Sequence, residues 1–138
     1  MSKKILIIIS IVIILIIIVA IIYWFTLPAE TTVVTMQEFN NSNQFGSTAL
    51  VPENNKTRII INLANSPNYP QQAYILEGSC EQPGDVIYTL SPLINGKSET
   101  VIDLSLKKLF NKLPLTIAVY RETPATQVNV SCGSILTP

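Results

Sequence analysis

The stretch 73-AYILEGSC-80 alternates as a β-strand does, with Ala73, Ile75 and Glu77 on one face and Tyr74 and Leu76 on the other. It ends in Gly-Ser-Cys, so it reads as a strand feeding a loop that a cysteine can pin. Its surroundings have the same texture. Short β-branched runs are punctuated by proline, glycine and asparagine, with little helical periodicity. Strands are expected at 31–38, 47–52, 57–64, 71–77, 98–105, 114–121 and 126–132. In 57-TRIIINLA-64, Thr57, Ile59, Ile61 and Leu63 share a face opposite Arg58, Asn62 and Ala64. In 127-QVNVSC-132, Val128, Val130 and Cys132 point one way and Gln127, Asn129 and Ser131 the other. One buried and one wet face per strand predicts an all-β sandwich or small barrel. One helical turn interrupts it, 105-SLKKLFNKL-113, where Leu106, Leu109, Phe110 and Leu113 recur at helical spacing before Pro114. That turn reads as a crossover between strands rather than a binding helix. The segment 81-EQPGDVIYTLSPLINGK-97 carries no strand in this reading and is expected to be a loop.

The opposite end of the chain has a different solvent. Ile5 to Phe25 contains no charge, and as a helix it is about 31 Å long, the thickness of a bilayer's hydrocarbon core. Lys3 and Lys4 precede it and the next basic residue is Lys56, so the positive-inside rule keeps the N-terminus in the cytoplasm and puts residues 27–138 outside. Tyr23, Trp24 and Phe25 then form an aromatic belt at the outer interface. The competing reading is a cleaved signal peptide, but its apolar core is normally shorter, and Leu27-Pro28-Ala29 is a poor cleavage site. The expected organisation is a cytoplasmic 1–4, a transmembrane helix over 5–26 in contact with the lipid bilayer, a stalk and possible first strand over 27–45, and an extracytoplasmic β domain over 46–138. The protein is placed in the cell membrane as a single-pass chain.

Composition excludes several chemistries. The 138 residues have a formal net charge of zero and no basic footprint for nucleic acid. There is no histidine, which removes Ser-His-Asp and Cys-His nucleophiles, and no Gly-rich phosphate loop. Glu77, Glu81 and Asp85 match no calcium-loop spacing and read as solvated carboxylates. Asn40, Asn55 and Asn129 each begin an Asn-x-Ser/Thr sequon, open to glycosylation if the host has the machinery. Cys80 and Cys132 both follow the anchor, and an even count in an oxidising compartment fits one bridge; two separate reduced thiols are the alternative.

From Gln72 to Ile135 the chain resembles the superoxide-dismutase-like proteins with a chordin-type (CHRD-like) domain, and more distantly copper/zinc superoxide dismutase. The resemblance is carried by 72-QAYILEGSC-80, 83-PGDVIYTLSPLINGKSETVIDLSL-106, 115-LTIAVYR-121 and 130-VSCGSI-135. Family members read approximately Pro-Ala-His-Ile-His-x-Gly-x-Cys in the first and end the third in Asn-Val-His. Order, spacing and both cysteines match over about half the chain. The resemblance implies a small Greek-key β-sandwich or barrel with a Cys80–Cys132 disulfide. It also implies that the family's metal-binding histidines fall at Tyr74, Leu76 and Tyr120. Such metals are held chiefly by imidazole nitrogen; leucine has no lone pair, and a tyrosine phenol must first lose a proton with a pKa near 10. The expectation is therefore a scaffold without the site: no catalytic residue, no metal ligand, no cofactor, and a possible contact patch at Tyr74, Leu76 and Tyr120. This points to a non-enzymatic, envelope-associated binding or structural module whose partner is unidentified. The rival is a residual copper or redox protein that uses non-histidine ligands or ligands from a partner.

Overall fold

The computed structural model describes residues 2–26 and 30–137. Helix α1 (Lys3–Phe25) is apolar on every side, and none of its residues is buried. A helix of that kind satisfies its backbone internally but has no polar face for water, so by length and composition it is a candidate membrane span. Its C-terminal end is closed by Thr26, whose Oγ1 donates to the carbonyls of Ile22 and Tyr23 at 3.0 and 3.2 Å. The doubtful cleavage site at Leu27-Pro28-Ala29 and the first part of the expected stalk lie outside the described residues.

Eight strands follow: β1 (Thr32–Glu38), β2 (Gly46–Glu53), β3 (Lys56–Leu63), β4 (Gln71–Gly78), β5 (Pro83–Leu93), β6 (Lys97–Ile102), β7 (Leu115–Glu122) and β8 (Gln127–Ile135). They are hydrogen-bonded in the order β5-β4-β7-β8-β1-β2-β3-β6, with every pair antiparallel. Chain-consecutive β3 and β4 are not neighbours, nor are β6 and β7, so the chain crosses over twice, in the Greek-key manner.

The two end strands of this order, β5 and β6, approach each other and nearly close a barrel. Side chains join them: the Ser91 amide donates to Thr100 Oγ1 at 2.8 Å, and Ser98 Oγ donates to the Ser91 carbonyl at 2.6 Å. At the top of the seam Ile94 and Lys97 exchange backbone hydrogen bonds of 3.0 and 3.1 Å around Asn95-Gly96. Asn95 (φ 51°) and Gly96 (φ 75°) are both left-handed, as a two-residue hairpin of this hand requires. Gly96 has a second reason to lack a side chain, since a Cβ would sit 2.1 Å from the Leu63 carbonyl oxygen.

The interior is filled by the inward positions of every strand. Thr57, Ile59, Ile61 and Leu63 of β3 are buried as one face, as their alternation predicts. Ala73 and Ile75 of β4 meet Ile117 and Val119 of β7, all at 0% exposure. A five-residue helix, α2 (Leu106–Phe110), lies on the crossover from β6 to β7, and Ser105 caps it by accepting from the Lys108 amide at 3.4 Å. Its Leu106 and Leu109 are buried in the same core, so α2 plugs one end of the barrel.

Three features differ from the sequence-based expectations. The segment expected to be a loop over 81–97 contains β5, the longest strand, with 11 residues. Its residues are mostly exposed or half-buried, as suits a strand on one side of the seam, and edge positions tolerate Pro83 and Pro92. The strand expected over 31–38 forms as β1, but as a full member of the barrel between β8 and β2 rather than as part of a stalk ahead of it. In β8 the expected alternation fails between Val130 and Cys132. Tyr120 pairs with Asn129 but Val119 with Ser131, so Val130 is an extra, bulged residue. Val130 therefore enters the core while Cys132 faces outward.

Candidate functional site

Residues opposite each other in an antiparallel sheet project to the same side. The registers of β4, β7 and β8 therefore set three rows on the barrel's outer face: Gln72, Tyr120 and Asn129; Tyr74, Ala118 and Cys132; Leu76, Thr116 and Ser134. This brings Tyr74, Leu76 and Tyr120 together, although they come from two strands separated by two others in sequence. The Tyr74 and Tyr120 rings lie diagonally, 5.8 Å between centroids and tilted by 59°, an arrangement favoured by aromatic quadrupoles. Leu76, Ala118 and Cys132 are the buried members of the same cluster, with Phe39 and Cys80 packed alongside. Leu76 is only 5% exposed, so it forms the floor of the cluster, and the two half-buried tyrosines form its rim.

The Cys80–Cys132 disulfide is present, linking the β4–β5 loop to β8 across 52 positions of sequence, with 5.9 Å between Cα atoms. Thr116 Oγ1 lies beneath it, 3.0 Å from Cys80 Sγ and 3.1 Å from Cys132 Sγ, and donates to the Gly133 carbonyl at 3.0 Å. Gly133 must stay bare, since a Cβ would approach the Thr35 carbonyl oxygen to 2.5 Å. Beside the bridge β1 and β8 part company: they pair only where Gln37 and Glu38 face Cys132 and Ser131. The parting leaves a cleft of about 350 Å³, bordered by Val33, Gln37, Glu81, Ser134 and Leu136.

The chemistry of this face is that of packing. Burial, and then the neighbouring Tyr74, push the Tyr120 phenol above its ordinary pKa of 10.0, which makes the phenolate a still poorer prospect as a ligand. Met36, the thioether of β1, is 1% exposed and points into the barrel core, away from this face. Among the described residues no group of three or more His, Cys, Asp or Glu side chains gathers as a metal would need, and Glu77, Glu81 and Asp85 are not brought together. The Asn129 Oδ1, at the end of the Tyr120 row, is buried without a hydrogen-bond partner among the described residues. Of the three sequons, Asn40 donates its side-chain amide to the Asn129 carbonyl at 2.8 Å, and Asn55 stands exposed at the β2–β3 turn.

Ala118 and Thr116 were readable as members of the cluster, since they precede Tyr120 by two and four residues on one strand face. Phe39 was not: it reaches the cluster from beyond the end of β1, held by its amide donating to the Val130 carbonyl at 3.0 Å.

The fold and this face define a near-closed, eight-stranded antiparallel barrel behind one candidate membrane-spanning helix, its outer face stapled by a disulfide. Comparison with protein-family models, curated proteins and solved structures gives no match to this chain.

Proposed function

We propose that this chain is a single-pass membrane protein that displays a superoxide-dismutase-like barrel outside the cell as a non-enzymatic binding or structural module. The observation that carries the reading is the content of the outer face of β4, β7 and β8. The positions that the family resemblance assigns to metal ligands hold Tyr74, Leu76 and Tyr120, packed on one another and on the disulfide. The Greek-key strand order and the position of the bridge support the relationship to that scaffold. Lys3 and Lys4 at the N-terminal end of α1, with no basic residue after them until Lys56, support the outward placement of the barrel. A partner would touch the tyrosine rim, since Leu76 lies beneath it.

The rival reading, a copper or redox protein without histidine, requires donors that this face does not present. Titration of the full-length protein with cuprous and cupric ions in detergent separates the two. Weak binding, with no superoxide consumption above that of free metal, is expected. Stoichiometric tight binding by the chain alone would overturn the proposal.

A further inference from the structure

The barrel has two ends, and the strand registers place the entry of the chain and the α2 crossover at the same one. β1 begins opposite the end of β2, Thr32 facing Leu50, and β3 begins after the turn that follows. β6 ends where Ile102 faces Thr57, and β7 begins where Leu115 faces Ile135. The connection from β6 to β7, which carries α2, therefore runs across the end at which the chain arrives from the helix. Only the chain between Thr26 and Thr32 separates that end from α1, a reach of about 21 Å fully extended.

The outward side of this connection is basic. Leu106 and Leu109 point into the core, while Lys107, Lys108 and Lys112 are exposed and take part in no ion pair among the described residues. Of the acids nearby, Asp103 pairs with Lys56 at 3.8 Å and Glu53 with Arg58 at 2.8 Å. Glu77, Glu81 and Asp85 lie on the β4–β5 side of the same end, so carboxylates flank the lysine face on the disulfide side, with Lys112 nearest them beside Glu77. The tether keeps Thr32 within about 21 Å of the end of α1, roughly two Debye lengths, so headgroup charge can act on the side of this end that faces the bilayer.

We propose that the Lys107-Lys108-Lys112 face rests on anionic phosphate headgroups of the bilayer that α1 crosses. This fixes the tilt of the barrel and turns the disulfide side, with its carboxylates, away from the membrane. The proposal rests on the membrane-spanning reading of α1. Each lysine held near an anionic surface strengthens the contact roughly fivefold, and salt weakens it. The basic residues toward the barrel's far end among those described, Lys97 beside the Asn95-Gly96 turn and Arg121 near the end of β7, are too distant to share the surface.

The test uses the full chain in nanodiscs of phosphatidylcholine alone and of phosphatidylcholine mixed with phosphatidylglycerol. Amine acylation is read peptide by peptide by mass spectrometry, with Lys97 as the internal reference. Lys107, Lys108 and Lys112 should react at least fivefold more slowly in the anionic discs at low salt, and the difference should vanish at high salt. The variant K107Q/K108Q/K112Q should lose the matching protection of the 106–113 backbone amides from hydrogen exchange while keeping its tyrosine near-UV circular dichroism. Equal rates in the two lipids, or protection that survives high salt, would overturn the proposal and leave the anchor intact. A chain that leaves both kinds of disc at high salt would remove the anchor and the proposal together.

Discussion

Removal of the Cys80–Cys132 bridge is the perturbation whose size the structure sets most directly. The bridge closes a loop across 52 positions, which in the chain-entropy treatment restricts the unfolded chain by about 4 kcal/mol. A barrel of this size has a net stability of roughly 5–15 kcal/mol, so the bridge supplies between a quarter and most of it. Two forms of the experiment bracket the effect. Reduction of the wild-type protein by a dithiol breaks the bond without changing any side-chain volume. The double variant C80S/C132A adds a small cavity at Cys132, which is 1% exposed, and should lose slightly more. The assay is guanidinium unfolding of the full chain, followed by tyrosine near-UV circular dichroism, because Trp24 lies in α1 and does not report on the barrel. With a guanidinium slope of about 2.5 kcal/mol/M for a domain of this size, reduction should lower the midpoint by about 1.5 M. A shift below about 0.3 M at unchanged slope would refute the reasoning, because the unfolded loop would then be no freer without the bond than with it.

Two further outcomes test the core and the outer cluster. Ile117→Ala opens a cavity where Ile117 meets Ile75 at 0% exposure and should cost about 2–5 kcal/mol in the same unfolding assay, with a smaller loss excluding a packed interior there. Tyr120 should ionise above its ordinary value of 10.0 in an ultraviolet titration, because burial and Tyr74 both raise its pKa. The folded state holds that proton more tightly than the unfolded chain, so its contribution is intact below the unfolded pKa near 10 and is lost as pH rises through the folded value. Tyr74→Phe removes the second cause and should move the Tyr120 transition back towards 10 without abolishing the shift; an unmoved or higher transition would contradict the assignment.

Much of the architecture was legible because burial in this barrel is strongly one-sided along most strands. The 57-TRIIINLA-64 alternation survives intact in β3, and 73-AYILEGSC-80 forms the strand and bridged loop that its pattern describes. β5 escaped notice for a physical reason. At the seam it has a paired neighbour on one side only, so selection for apolar alternation is weak there, and prolines that would end a central strand are tolerated. The β8 bulge was equally invisible, since one extra residue at Val130 changes the facing of Cys132 without leaving any mark in composition. Tyr74, Leu76 and Tyr120 could be placed together only through the family resemblance and strand parity, because no local pattern links residues 74 and 120.

The strand β7 decides how that cluster should be understood. Leu115, Thr116, Ile117, Ala118 and Val119 are all buried in unbroken succession, which an outer barrel strand facing water would not be. Continuous burial means that both faces of β7 are covered: Leu115, Ile117 and Val119 by the barrel core, Thr116 and Ala118 by the disulfide, Leu76, Phe39 and the tyrosines. A metal centre on this face would need donors with free lone pairs and a path for ligand exchange. The residues present offer a methyl floor, a threonine committed to the Gly133 carbonyl and a sulfur pair committed to each other. Small domains need a staple where the core alone is thin, and a metal site or a disulfide with its own apolar packing can serve. Here the second arrangement, a disulfide with its own apolar packing, covers this face. On the proposed reading, a partner meets this face at the half-buried rims of Tyr74 and Tyr120, above the buried Leu76.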